Sequence, residues 1–109
     1  MSVRPPQSFR RSQQDRNGFD VLEYELMSER ADALGRHGLK VEAALAALKA
    51  WTGEHQSAEE RERLVNDASD AVWAFFIQRE ICGLRNNRDA IQRHGIPNEV
   101  IARLGAIRK

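Results

Sequence analysis

Apolar residues recur at spacings of three and four from Met27 through Ala31, Leu34, Gly38, Val41, Leu45 and Leu48, the rhythm of one helix face. Leu22, Leu26 and Ala33 widen that stripe toward the breadth of a core-facing helix. The stretch from Phe19 to Trp51 is rich in Ala, Leu, Glu, Arg and Lys, all good helix formers. It predicts one long helix, started by Asp20 with Glu23 in a capping-box-like pair. Gly35 and Gly38 each cost ~1 kcal/mol against Ala inside a helix. The apolar phase nevertheless runs through them, and no Ser, Thr, Asp or Asn near Leu39 stands ready to cap a second start. The expectation is a continuous helix in which Gly38 admits a close neighbour.

Thr52, Gly53 and the residues to Gln56 form a connection. Ser57 with Glu60 is a capping box, so a second helix is predicted from Ala58 to about Asn86. Its first half is amphipathic through Leu64, Ala68 and Val72. Its second half is not. Ala71, Val72, Trp73, Ala74, Phe75, Phe76, Ile77, Ile81, Cys82 and Leu84 spread around nearly the whole circumference, and a helix apolar on every side must be buried on every side. Asn86 or Asn87 then caps a short helix over RDAIQRH, which Gly95 stops in a Schellman-type turn with Ile96 as its apolar contact. Pro97 opens another short helix that Gly105 ends. Segments that short do not stand alone, so Ile91, Ile96, Val100, Ile101 and Leu104 are expected to pack on the long pair.

The fold class is therefore all-α: a long antiparallel helical hairpin plus two short C-terminal helices. Roughly 33 residues at ~1.5 Å each make a helix of about 50 Å, whereas a compact domain of this size has a radius of gyration near ~13 Å. Such an elongated hairpin has one covered face and one bare face. Pairing two of them into a four-helix-bundle homodimer would shelter Val72, Trp73, Phe75, Phe76, Ile77, Ile81 and Leu84.

Composition narrows the class further. The chain has 109 residues, 41% hydrophobic and 30% charged, which suits one soluble domain. No apolar run approaches the ~18 residues of a membrane span. MSVRPPQSFRRSQQDRNG has no apolar core and does not read as a secretory signal. The expected location is the cytoplasm, with no membrane contact. The one cysteine, Cys82, rules out a disulfide scaffold and a Cys-x-x-Cys site. The formal charge of +1 hides an asymmetry. Residues 1–18 carry Arg4, Arg10, Arg11 and Arg16 against Asp15; residues 19–78 carry twice as many acids as bases; residues 79–109 are basic again. Residues 1–17, with Pro5, Pro6 and few apolar groups, read as a basic, flexible tail. Residues 18–109 read as a single helical domain.

Candidate chemistry is sparse. Gln78, Arg79 and Glu80 interrupt the all-round apolar segment at ~100° steps. Some of them must then be buried and paired. With Arg85 they form a candidate buried polar cluster, with Glu25, Glu29 or Asp32 as partners for Arg79 and Cys82 close by. The simpler reading is an ion pair that fixes helix register. Cys82 has no His three or four residues away, and His37, His55 and His94 share no metal-ligand spacing. No P-loop, dinucleotide fingerprint or Gly-x-Ser-x-Gly elbow is present. No cofactor and no enzymatic activity are expected. DAIQRHGIPNEVIARL resembles a helix-turn-helix over residues 88–104, with Arg93, Asn98 and Arg103 as the alternative nucleic-acid contacts. Ile91 where a small residue is wanted, and Glu99 on the reading helix, count against it.

The stretch WAFFIQREICGLRNNRDAIQRHGIPNEVIARLG, with the upstream ERADALGRHGLKVEAALAAL, resembles a family of small uncharacterised α-helical bacterial proteins. Gln78-Arg79-Glu80, Gly83-Leu84-Arg85 and Gly95-Ile96-Pro97 carry that likeness over about residues 19–105. The resemblance implies a helical fold and no mechanism. The expected role is a non-enzymatic structural or protein-interaction module acting as a homodimer, with an unidentified protein partner as a further occupant of its surface. A small DNA-binding regulator is the alternative.

Overall fold

The computed structural model describes the backbone of residues 7–54 and 56–106, and side chains from Gly18 onward. The described residues are all-helical. Helix α1 spans Gln7–Ala50, α2 Ala58–Ile81, α3 Asn87–His94 and α4 Asn98–Ile101. Helices α1 and α2 form the antiparallel hairpin, and the short pair folds back on it. With 44 residues α1 is about 66 Å long, against about 36 Å for the 24 residues of α2. The radius of gyration is 22.5 Å and the extents are 88 × 28 × 21 Å, a rod in shape.

Helix α1 is unbroken through Gly35 and Gly38, as the apolar phase requires. At Gly38 an added Cβ would meet the Phe75 ring at 3.6 Å, an ordinary contact. The close approach expected there does not demand glycine. The start of the helix needs correction. It already runs at Gln7, the first described residue, so Asp20 and Glu23 lie inside it and cap nothing. Gln and Arg propagate a helix well, and Gly18 costs only ~1 kcal/mol. The expected tail therefore overlaps helical backbone from Gln7. Residues 1–6 and the side chains of residues 7–17 lie outside the described residues, as do His55 and residues 107–109.

Helix α2 starts as expected, with the Ser57 hydroxyl accepting from Glu60 N–H at 3.1 Å. The Glu60 carboxylate pairs with Arg63 instead of closing the box. The helix ends at Ile81 rather than near Asn86. Gly83 takes a φ of 82°, and its N–H reaches Glu80 O at 2.9 Å while Leu84 N–H reaches Arg79 O at 2.8 Å. These two bonds are the Schellman closure; the apolar pattern that continues to Leu84 concealed it. The next cap matches expectation. Asn86 accepts from Asp89 N–H, Gly95 is left-handed at φ 63°, and Ile96 N–H bonds Ile91 O at 3.0 Å.

The core joins all four helices. Val41 and Leu48 of α1, Val65, Ala68, Val72 and Phe75 of α2, Ala90 of α3, Ile96 and Val100 are buried together. Ile91, Ile101 and Leu104 pack against them, which is how two helices too short to persist alone are held. This core sits beside the second half of α1. In its first half, the described side chains from Gly18 to Asp32 are exposed.

Candidate functional site

The hairpin ends at Arg30. There the Gln78 side chain donates to Arg30 O at 3.4 Å and Cys82 Sγ lies 3.6 Å from the same carbonyl. Upstream, no other described element covers α1, and residues 18–32 are exposed. At ~100° per residue, Phe19, Leu22, Leu26 and Met27 fall on the side that carries Leu34, Val41 and Leu48 lower down. The stripe is continuous and its covering is not. Phe19 and Leu22 are 66% and 65% exposed, and Leu26 and Met27 are exposed as well. Val21 and Tyr24 add bare apolar surface on other sides of the same turns. An open groove of about 690 Å³ follows the stripe from Phe19 past Leu22, Leu26 and Met27 to Leu34, where Ile81 and Cys82 close its end.

A second bare strip lies along the outer side of α2. The expected dimer seam divides here. Val72 and Phe75 belong to the chain's own core, and Phe76 packs against it. Trp73, Ile77, Ile81 and Leu84 are exposed, by 43–50%. The sequence reading that the chain has too few elements to surround this segment fits these positions; Val72 and Phe75 need no partner. Trp73, Phe76, Ile77 and Leu84 border a smaller groove of about 280 Å³ with Glu80 and Arg85 on its rim. Ile81 adjoins both surfaces, so the two bare strips meet there.

The expected buried polar cluster does not assemble. Arg79 is buried, at 9% exposure, but Glu80 and Arg85 are exposed and Gln78 turns to the α1 backbone. Arg79 does not pair with Glu25, Glu29 or Asp32. Its guanidinium donates to Asn86 O at 2.9 Å and lies 5.8 Å from the centre of the Phe75 ring. A backbone carbonyl and an aromatic face thus take the place of a carboxylate. Arg79 ties the end of α2 to the cap of α3, and the Schellman turn explains the outcome: it brings Asn86 back over Arg79, a register that spacing alone does not show. Cys82 is half-buried and a free thiol. Among the described residues no three His, Cys, Asp or Glu side chains gather as a metal ion requires.

Helix α4 and the turn that follows it are clasped to α2 by two reciprocal ion pairs. Arg61 of α2 holds Glu99 through both guanidinium nitrogens. Arg103 holds Glu62 at 2.7 and 3.1 Å and also donates to Asn66. The hydrogen bond from Arg103 keeps the Glu62 carboxyl below the usual range, and the one from Arg61 does the same for Glu99. Arg61 also lies over the Trp51 ring. For the nucleic-acid alternative this geometry is unfavourable. Arg103 is turned inward onto Glu62, Arg93 pairs with Asp89, and α4 is a single turn of four residues. Asn98, the third of the named contacts, is exposed at the start of that turn. His94, in the last turn of α3, stacks edge-on against Phe75 and faces Glu42.

Two features escaped sequence reading. The clasp joins residues 38 and 41 positions apart, a separation without local signal. The bare end of α1 had one: its periodic stretch is longer than that of α2, so part of it must overhang. Comparison with known proteins adds one match. Residues 1–109 match DUF6665, a family of unknown function. No curated protein and no solved structure matches the chain. No helix among the described residues is long and apolar enough to cross a membrane.

Proposed function

The chain belongs to the DUF6665 family, and from that premise we propose a non-enzymatic structural or protein-interaction module that acts as a homodimer in the cytoplasm. The observation that carries this reading is the bare stripe of α1, the same stripe that forms the core farther along. Contiguous exposed apolar surface of this kind marks an association site. Its groove has apolar walls and few polar groups, which suits a helix face better than a reacting small molecule. The strip on α2 from Trp73 to Leu84 extends the surface around Ile81. Two copies covering one another would complete the bundle that one chain leaves half built.

Light scattering on the purified chain at micromolar concentration tests this. Twice the 12.4 kDa chain mass is expected, falling to the single-chain mass in Leu22→Glu/Leu26→Glu with helicity retained. A chain of 12.4 kDa at every concentration contradicts the proposal.

A further inference from the structure

The occupant of the bare half of α1 can be specified, given the homodimer reading above. We infer that it is the outer strip of α2 from a second copy, exchanged reciprocally about a twofold axis beside Ile81.

Position comes first. Gln78 and Cys82 both reach the Arg30 carbonyl, so α2 comes level with Arg30 near residue 80. From that level the α1 stripe, Phe19 to Met27, extends one way along the rod. The α2 strip extends the other way, because the two helices are antiparallel, and Ile81 borders both. The start of the stripe is a property of the sequence, since residues 10–18 hold no apolar side chain. Phe19 to Met27 covers the same number of helical steps as Trp73 to Ile81, about 12 Å each. Two bare strips of equal length on opposite sides of one point exchange places under a twofold rotation about it. Each stripe is then laid on the partner's strip, and one contact made twice covers both, as isologous pairing requires. The rotation also reverses the long axis, so the partner's α2 runs parallel to α1, where the chain's own α2 runs antiparallel. An antiparallel occupant would repeat from copy to copy into a filament.

Area agrees with the exchange. The four side chains of the stripe and the four of the strip are 43–66% exposed, about 800 Å² per protomer, which is what each partner gives to an interface of standard size. Either strip alone offers about half of that. The rival pairing, stripe on stripe, fits less well. Its axis would lie near Glu23, the middle of the stripe, and would set that carboxylate beside its own copy, like charge on like. It would carry the first turns of each α1 past Arg30 into the place that α2 holds. It would also leave Trp73, Ile77 and Leu84 uncovered.

Disulfide trapping between two different chains tests this. In a Cys82→Ser background, Leu22→Cys and Ile77→Cys are prepared as separate proteins, each substituted near the middle of its strip. They are oxidised alone and after mixing and subunit exchange; masses are read without reductant, and circular dichroism checks helix content. Across the interface the two positions come within the ~7 Å of Cα separation a disulfide permits, whereas two copies of either one stand about 15 Å apart. The mixture is expected to give at least tenfold more covalent dimer than either protein alone. Either protein trapped alone as well as the mixture means that like faces like, and overturns the inference. A dimeric mass with no sample trapped means another face and also overturns it; both results leave the homodimer reading intact. A monomeric mass, or one that keeps growing with concentration, removes both. A second measurement needs no cysteine. Ile77→Glu, on α2, is expected to raise the dimer dissociation constant at least tenfold and to release residues 19–27 of α1 to amide exchange. Unchanged protection of those residues contradicts the exchange of strips.

Discussion

The two halves of α1 carry one apolar stripe on one side of one helix, and they differ in what faces them. From Leu34 to Leu48 the stripe meets α2 and closes into a core containing Val41, Val65, Val72 and Phe75. From Phe19 to Met27 it is exposed, with no other described element covering it. Local sequence is the same in kind on both sides of Arg30. The difference comes from the shorter second helix, which runs out after Ile81 because Gly83 turns the chain. Periodicity therefore identifies a face to be buried without saying whether the chain itself does the burying.

The largest effect that separates the halves is truncation of a core ring. Phe75→Ala removes a side chain packed between Gly38, His94 and Arg79, and a loss of about 3–5 kcal/mol is expected in urea unfolding. Leu26→Ala on the bare half, measured at concentrations dilute enough for single chains, is expected to change stability by less than ~0.5 kcal/mol. Similar losses at both positions would show that the overhang is covered within the protomer.

Turn chemistry ranks next. Gly95 is left-handed at φ 63° with open space around it, so Gly95→Ala is expected to cost about 1–2 kcal/mol through backbone conformation alone. That substitution should loosen Ile96 and Val100 before it touches the α1–α2 seam, as amide exchange would record.

A gain of stability is expected at Gly35, where an added Cβ meets nothing within 4 Å. Gly35→Ala should stabilise α1 by up to ~1 kcal/mol. Gly38→Ala should do nearly as well, since its new contact with Phe75 is ordinary. A fall in thermal midpoint at either position would mean that a partner backbone approaches this helix closely.

The smallest effect concerns acid. Glu62 and Glu99 have carboxyls held below their usual range by Arg103 and Arg61. Groups depressed in the folded state contribute stability above the unfolded value of ~4.3 and lose it as pH falls through the lower folded values. The clasp should therefore weaken on acidification below about pH 4, with residues 97–104 exchanging faster while the α1–α2 core persists. The pairs are exposed, so the effect is modest. Equal acid sensitivity in both regions would contradict a local clasp.

Much of the fold was legible because it rests on local signals: the stripe of α1, the Ser57 cap, Asn86, and Gly95 with Ile96. The end of α2 was not, because an apolar pattern running to Leu84 outlasted the helix itself. The extension of α1 upstream of Phe19 was hidden because residues 7–17 are mostly polar and carry no apolar periodicity. The site was legible in outline. Of the residues read as a seam, Trp73, Ile77, Ile81 and Leu84 are exposed while Val72 and Phe75 turn inward, and the barest described turns lie around Phe19 to Met27. The fate of Arg79 depended on a turn that places Asn86 above it, and the Arg–Glu clasp on residues far apart in sequence. Pairings of that kind follow from tertiary geometry.

The most direct test is amide hydrogen exchange along α1 as a function of protein concentration. Residues 19–29 are expected to gain protection as concentration rises through the association range, while residues 34–48, already covered by α2, stay constant. Protection that is independent of concentration in both halves would contradict the account.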